Sequence, residues 1–284
     1  MLVLLGPSFA GGDADYQRLS KATGMVAYDL RARLKPGMWG LVKALADEAE
    51  AERLSSALRA EHFQVVVVPR EVATDPARPI VALKALAIEG QELTLQLRER
   101  AMTVPVAALC SIVRGEAQVG KASGARGPAS AAGSSSATFR AVVPSASDLQ
   151  VFRESMPPAN FEAFAAADLH FHSVNWVARI DARSFDFRAL GIAAASPAGA
   201  LDTLVDRLGL LGRVRVDRAA RASSISSFTQ QAARTATPHA GPQSAPHSGR
   251  VREIAGDDRF DPYSRVVGEA DRLLAAAVAA EPKA

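Results

Sequence analysis

Residues 19–68 read LSKATGMVAYDLRARLKPGMWGLVKALADEAEAERLSSALRAEHFQVVVV, and this stretch decides the fold of the first part of the chain. Thr23-Gly24 and Pro36-Gly37 are helix-breaking pairs, and Asp47 with Glu50 has the spacing of a helix-capping box. The predicted elements are a strand over Leu2–Leu5, helices over Asp15–Ala22 and Val26–Leu34, a strand over Trp39–Leu45, a helix after Asp47 and a strand over Val65–Val68. Residues 1–70 are therefore expected to form a β-α-α-β-α-β module of the α+β class.

The same stretch resembles the C-terminal domain of the bacterial ribosomal stalk protein, and its fold is similar to that of the Clp protease adaptor. The resemblance lies in the Thr23-Gly24 break between two helices, the Glu- and Ala-rich amphipathic helix and the closing valine strand. It implies a protein-binding module without catalytic chemistry, in which basic residues around the break face the partner. Here these are Arg18, Lys21, Arg31 and Arg33. The sequence departs from the stalk pattern at Val26, Tyr28 and His62, which stands where a glycine would end the long helix in a left-handed turn.

Residues 78–216 change to the period of a β-sheet. Ile80–Ile88 is an apolar run, Glu89-Gly90 is a turn, and three leucines at 93, 95 and 97 alternate with polar residues. Further strands are predicted over 102–104, 111–116 and 168–187, with a helix capped by Ser196 before residue 209. This β-rich domain is similar in shape to a PH-like barrel closed by a C-terminal helix. Too few strands precede residue 117 to be stable alone, so we expect them to pair with those of 168–187.

Three further segments complete the predicted organisation. Residues 117–139 are rich in Gly, Ala and Ser and are predicted to be a flexible linker, and residues 217–258 to be a disordered basic tail. An amphipathic pattern predicts a C-terminal helix over 259–281, with Val266, Val267, Ala270, Leu273 and Leu274 on its apolar face. The sequence leaves open whether this helix docks on its own chain or on another.

Composition excludes several classes of protein. The chain has 284 residues with a net charge of +3, too small an excess to indicate nucleic acid as a partner. Its one cysteine, Cys110, has apolar neighbours and is expected to be a buried, unreactive thiol, which suits a reducing compartment. Neither a signal peptide nor a membrane-spanning run is evident, so the sequence predicts a cytoplasmic, bacterial-type protein that does not insert into membranes.

The best candidate for a metal site is Asp168 with His170 and His172, because alternate residues of a strand share one face. The opposing interpretation is that these residues form the solvent-exposed polar face of a half-buried strand, since Leu169 and Phe171 occupy the other face. Gly115–Ala122 fits the spacing G-x-x-x-x-G-K of a phosphate-binding loop. Ala122 stands where a Ser or Thr is required, however, so a chance match is expected.

Arginines are concentrated in residues 213–252. They are Arg213, Arg215, Arg218, Arg221, Arg234, Arg250 and Arg252. This tract could bind an anion or a nucleic acid, although it has few aromatic residues for base stacking, and a solvated tail is the simpler interpretation.

The sequence as a whole predicts a non-enzymatic adaptor or scaffold that binds a protein partner and needs no cofactor. The alternatives are a metal-dependent enzyme centred on Asp168, His170 and His172, and an anion or nucleic-acid binder that uses residues 213–252. The identity of the partner and the oligomeric state do not follow from the sequence.

Overall fold

A computed structural model of the chain describes residues 1–121, 160–218, 225 and 260–280. The predicted α+β class is confirmed, because helices and sheets alternate in layers. Three sheets are present in the described part of the chain, and a C-terminal helix packs between two of them.

The N-terminal module has the predicted order of elements. Its elements are β1 (Leu2–Leu5), α1 (Asp13–Thr23), α2 (Ala27–Arg33), β2 (Gly40–Ala44), α3 (Glu48–Ala60) and β3 (Val65–Val68). The antiparallel sheet has the strand order β2-β1-β3, so β3 is an edge strand. The predicted breaks and caps lie where expected: Gly24 has a φ of 70°, Asp47 accepts a hydrogen bond from the Ala49 N–H, and His62 adopts the left-handed conformation at φ 64°.

The β-rich part forms two sheets. Its strands are β4 (Ile80–Leu83), β5 (Ala85–Glu89), β6 (Glu92–Gln96), β7 (Ala101–Pro105), β8 (Leu109–Lys121), β9 (Asn160–Phe171), β10 (Val177–Asp181) and β11 (Arg215–Asp217). One sheet has the order β11-β8-β9-β10-β4, and the other is the antiparallel meander β5-β6-β7. The expected pairing of the strands before residue 117 with those of 168–187 is present, because β8 and β9 pair antiparallel along their length and bring Ile112 opposite Leu169. β4 with β10 and β11 with β8 pair parallel, which differs from the antiparallel barrel of the PH-like comparison.

Two predicted boundaries are wrong. The run Ile80–Ile88 is not one strand, because it divides at Lys84, whose N–H bonds to Gln96 O, and its two halves join different sheets. The predicted linker begins too early, because β8 continues to Lys121 through its pairing with β9. The rest of that linker lies outside the described residues, and so does the predicted tail apart from residues 217, 218 and 225. The prediction of disorder is wrong at two of these, because Asp217 ends β11 and Ile225 is buried in the core.

Two helices complete the core. α4 (Pro197–Gly212) begins at Ser196, whose side chain accepts the Gly199 N–H, and its apolar face packs with the meander and one face of the five-stranded sheet. α5 (Phe260–Ala280) packs with the other face of that sheet and with the N-terminal sheet, contacting Leu2, Leu4 and Val66. α1, α2 and α3 cover the opposite face of the N-terminal sheet. The C-terminal helix thus docks on its own chain and joins the two parts of the molecule.

Candidate functional site

Asp168 lies at the centre of the buried polar contacts between α5 and the five-stranded sheet. Its carboxylate is completely buried and accepts two 2.7 Å hydrogen bonds from Nε and Nη2 of Arg179. The Nη1 atom of Arg179 lies 2.6 Å from Asp261 of α5. Burial lowers the pKa of Arg179, but the two carboxylates outweigh it and the net shift is upward. These three charges form a closed cluster that attaches the start of α5 to β9 and β10.

His170 occupies the next inward position of β9 and is also completely buried. Its Nε2 lies 3.0 Å from the Ser264 hydroxyl and its Nδ1 lies 3.4 Å from Nη2 of Arg78. Because a guanidinium only donates, Nδ1 accepts and the proton is assigned to Nε2, which donates to Ser264. Burial lowers the pKa of His170 to about 3, so the ring is neutral. α5 passes the ring at Gly268, where a Cβ atom would lie 2.1 Å from Nδ1.

The Ser264–His170 pair does not form the nucleophile and general base of a hydrolase. A general base must accept the hydroxyl proton, but here Nε2 already carries a proton and the neighbour on Nδ1 is an arginine rather than a carboxylate. Both side chains are completely buried, so no substrate reaches them. The pair is a structural contact.

Glu269 connects this buried region to the surface. It lies 2.9 Å from Nη1 of Arg78 and accepts a 2.8 Å hydrogen bond from Nε of Arg272. Beyond these groups is a cleft of about 420 Å³, and His172 is exposed at its wall, after the end of β9. Asp75 also lines the cleft. The cleft therefore presents charges of both signs.

Asp271 joins α5 to both parts of the molecule. It accepts a 2.7 Å hydrogen bond from the Trp39 indole of the N-terminal module and a 2.8 Å hydrogen bond from Arg215 of β11. Arg215 also pairs with Asp217, which accepts a 2.8 Å hydrogen bond from the Tyr263 hydroxyl. Burial lowers the pKa of Arg215, but Asp271 and Asp217 reverse this shift and raise it. These bonds fix the rotation of α5 as well as its position.

Arginines and carboxylates form ion pairs across this interface. The arginines are Arg78, Arg179, Arg215, Arg265 and Arg272, and the carboxylates are Asp168, Asp217, Asp261, Glu269 and Asp271. In the described ranges these arginines and carboxylates largely pair with one another, and the His170 ring between them is neutral. This arrangement is that of a docking surface for a helix.

The predicted metal-binding residues are not brought together. Asp168 is bonded to Arg179, His170 to Ser264, and His172 lies apart at the surface. In the described ranges, no group of three or more His, Cys, Asp or Glu side chains is placed to hold a metal ion. The opposing prediction, a solvent-exposed face, is wrong for Asp168 and His170, because α5 covers that face of the strand.

The four basic residues of the N-terminal module have different environments. Arg18 pairs with Asp15, donates to the Glu61 carbonyl and lies over the Phe63 ring, so it holds α1 against the α3–β3 turn. Arg31 pairs with Asp13 and remains half-exposed. Lys21 and Arg33 are exposed and form no ion pair with the residues that the structure describes.

Large apolar side chains are exposed at the same corner. Val26 and Tyr28, at the start of α2, have 65% and 78% of their surface exposed. They lie between Lys21 and Arg33 in the sequence. Leu210 and Leu211 at the end of α4 are the other exposed large apolar residues in the described part of the chain. The corner between α1 and α2 thus combines apolar and basic groups.

The remaining candidates have no ligand geometry. Gly115–Lys121 lies within the extended strand β8 and not in a strand–loop–helix turn, which agrees with a chance match to the phosphate-binding motif. Of the arginine-rich tract, Arg215 and Arg218 are ion-paired, and residues 221, 234, 250 and 252 lie outside the described residues. The Cys110 thiol donates to the His170 carbonyl, and burial raises its pKa to about 11. None of the helices in the described ranges has the length and apolar composition needed to cross a bilayer.

Sequence reasoning missed Arg78, Arg179 and most polar residues of α5. One signal was available, because Ser264, Gly268 and Asp271 follow each other at intervals of four and three residues, beside the apolar face. A polar stripe with a central glycine indicates that a second element packs closely there.

No protein family, no curated protein and no solved structure matches the chain.

Proposed function

We propose that the chain is a non-enzymatic adaptor that binds a protein partner at the corner between α1 and α2. The observation that carries this proposal is the exposure of the apolar side chains Val26 and Tyr28 at the start of α2, on a corner whose two helices also carry the exposed basic residues Lys21 and Arg33. Apolar groups beside unpaired charges are typical of interaction surfaces, because the apolar groups supply affinity and the charges orient the partner.

The chemistry of this corner specifies the partner. Lys21 and Arg33 favour carboxylates, while Tyr28 offers a flat ring on which an apolar side chain can pack. The partner is therefore an acidic segment that carries a large apolar residue. The likeness of residues 19–68 to the stalk-protein domain supports the same corner, since basic residues around the helix break face the partner in that family.

A titration with defined peptides tests the proposal. Short Glu- and Asp-rich peptides with a central Phe or Leu are added to the full chain, and the methyl resonances of Val26 are followed by NMR. Peptides with Lys in place of each acidic residue are the matched probe. We expect shifts at Val26 with the acidic peptides only, and weaker binding as salt rises.

Variants locate the binding surface. Tyr28→Ser and the double variant Lys21→Glu/Arg33→Glu should each weaken the peptide affinity by about tenfold or more. Leu210→Ser is the control, because Leu210 is as exposed as Tyr28 but lies elsewhere, at the end of α4. Equal affinity for acidic and basic peptides, or equal losses at Leu210 and Tyr28, would contradict the proposal.

A further inference from the structure

The outer edge of β3 borders a groove that runs the length of the strand. α3 forms one wall and α5 forms the other. Two adjoining cavities of about 540 and 750 Å³ share Glu52, Val67 and Leu273, and extend from Phe63 at one end to Pro69 at the other. Both cavities lie against β3 in the part of the chain that the structure describes.

The hydrogen-bond pattern shows which groups of β3 face the groove. The Gly6 N–H donates to the Gln64 carbonyl, and hydrogen-bonded pairs alternate along antiparallel strands, so the even-numbered residues of β3 bond to β1. The main-chain N–H and C=O groups of Val65 and Val67 therefore point away from β1, toward the groove. Within the described residues, only the Val65 carbonyl has a partner on this side, in two 3.4 Å hydrogen bonds from Arg59. Among the described residues, the outward N–H groups of Val65 and Val67 and the Val67 carbonyl have no hydrogen-bond partner, so β3 is an edge to which a further strand can be added.

The opposite edge of the sheet is protected. β2 ends in exposed residues that include Lys43, and its pairing with β1 shifts register between Val3 and Leu4. Charged side chains and irregular pairing discourage the addition of a strand. β3 has neither, because it is regular and consists of four valines. The β3 edge is therefore better suited to pairing with a further strand than the β2 edge is.

We propose that this edge binds the same edge of a second copy of the chain, so that two three-stranded sheets join into one sheet of six strands. A twofold axis at Val66 places Val65 of one copy opposite Val67 of the other. The two pairs then exchange four main-chain hydrogen bonds, and valine faces valine at each position. Two of these bonds go to the Val65 carbonyls, which take the Val67 N–H of the other copy in exchange for the long bonds from Arg59.

The charges on α3 match this symmetry. Glu52 and Arg59 are seven residues apart on one side of α3, about half-exposed, and lie 3.1 Å from each other. Arg59 lies beside Val65, and Glu52 lines the groove beside Val67. The same twofold axis therefore brings Arg59 of one copy next to Glu52 of the other. This self-complementarity favours a second copy over an unrelated extended peptide.

Sedimentation velocity of the full chain over a wide range of concentrations tests the proposal. We expect the mass to rise from 29.8 kDa to twice that value as the concentration increases. Val67→Pro removes an outward N–H while leaving the bonds to β1, and should weaken association by about tenfold or more. Glu52→Arg should have a similar effect, because it places two arginines opposite each other.

The charge exchange is the decisive variant. Glu52→Arg/Arg59→Glu restores opposite charges across the axis and should recover the association that Glu52→Arg loses. Glu99→Arg, in the exposed turn between β6 and β7, is the control with the same change of charge. Far-UV circular dichroism checks that each variant is folded. A chain that stays monomeric at all concentrations overturns the proposal, and the groove would then be a site for a strand of another protein. A dimer that persists in both Val67→Pro and Glu52→Arg also overturns it.

Discussion

Gly268→Ala tests whether α5 is held at the distance from β9 that the structure shows. Alanine normally stabilises the middle of a helix by about 1 kcal/mol relative to glycine. Here the added Cβ atom would lie 2.1 Å from Nδ1, 2.3 Å from Cε1 and 2.4 Å from Cγ of His170. Since carbon atoms in contact are about 3.5–4.0 Å apart, either the ring or the helix has to move.

The expected magnitude follows from two costs. Overpacking a buried site costs about 1–3 kcal/mol, and separating His170 from Ser264 leaves buried polar groups without partners, at about 1–3 kcal/mol. After subtracting the gain in helix propensity, Gly268→Ala should lower the free energy of unfolding by about 1–5 kcal/mol.

Urea unfolding, followed by tryptophan fluorescence and circular dichroism, measures this change. Trp39 reports on α5 directly, because its indole bonds to Asp271. Gly199→Ala in α4 is the matched control, since its Cβ would have no neighbour closer than 3.4 Å, and it should be close to neutral. The double variant His170→Ala/Gly268→Ala should be no less stable than His170→Ala alone. A Gly268→Ala chain as stable as the unsubstituted one would refute the proposed packing of α5.

Three further predictions concern buried titratable groups. Because the folded-state pKa of His170 is about 3 against an ordinary 6.5, its contribution to stability is present above pH 6.5 and is lost as the pH falls toward 3. Unfolding midpoints should show a loss of about 2 kcal/mol between pH 7 and pH 5, and His170→Asn should remove it. Arg179→Met leaves Asp168 buried without its partner and should lower the free energy of unfolding by about 3–5 kcal/mol in the same assay. The control is Arg183→Met, at an ion pair nearer the surface, which should lower it by about 1 kcal/mol or less. Cys110, with a pKa raised to about 11, should react with iodoacetamide much more slowly in the folded than in the unfolded chain below pH 9; equal rates would contradict its burial.

Local signals predicted the ends of helices and one strand of the meander well. Thr23-Gly24, Asp47 and Ser196 set the ends of helices through contacts with residues only a few positions away, so the sequence contains the whole cause. The alternation around Leu93 and Leu95 likewise marks a strand with one buried face.

The sequence contains weaker signals for which strands pair with each other. Lys84 is the only charged residue of Ile80–Ile88, but it does not by itself show that the run divides there, because β4 and β5 obtain their hydrogen bonds from two different sheets. The sequence also did not show that β8 continues past residue 117, because its hydrogen bonds come from β9, which begins many residues further along the chain.

The sequence by itself determined the α+β class, the order of the N-terminal elements and the presence of an amphipathic C-terminal helix, because periodicity and capping act over one or two turns. Only the tertiary structure decided what that helix covers. Asp168 and His170 alternate with apolar residues like the solvated face of a strand, but α5 brings Asp261 and Ser264 to them and buries them. A polar pattern shows which side chains need hydrogen-bond partners, and whether water or a distant helix supplies them depends on contacts that span the chain.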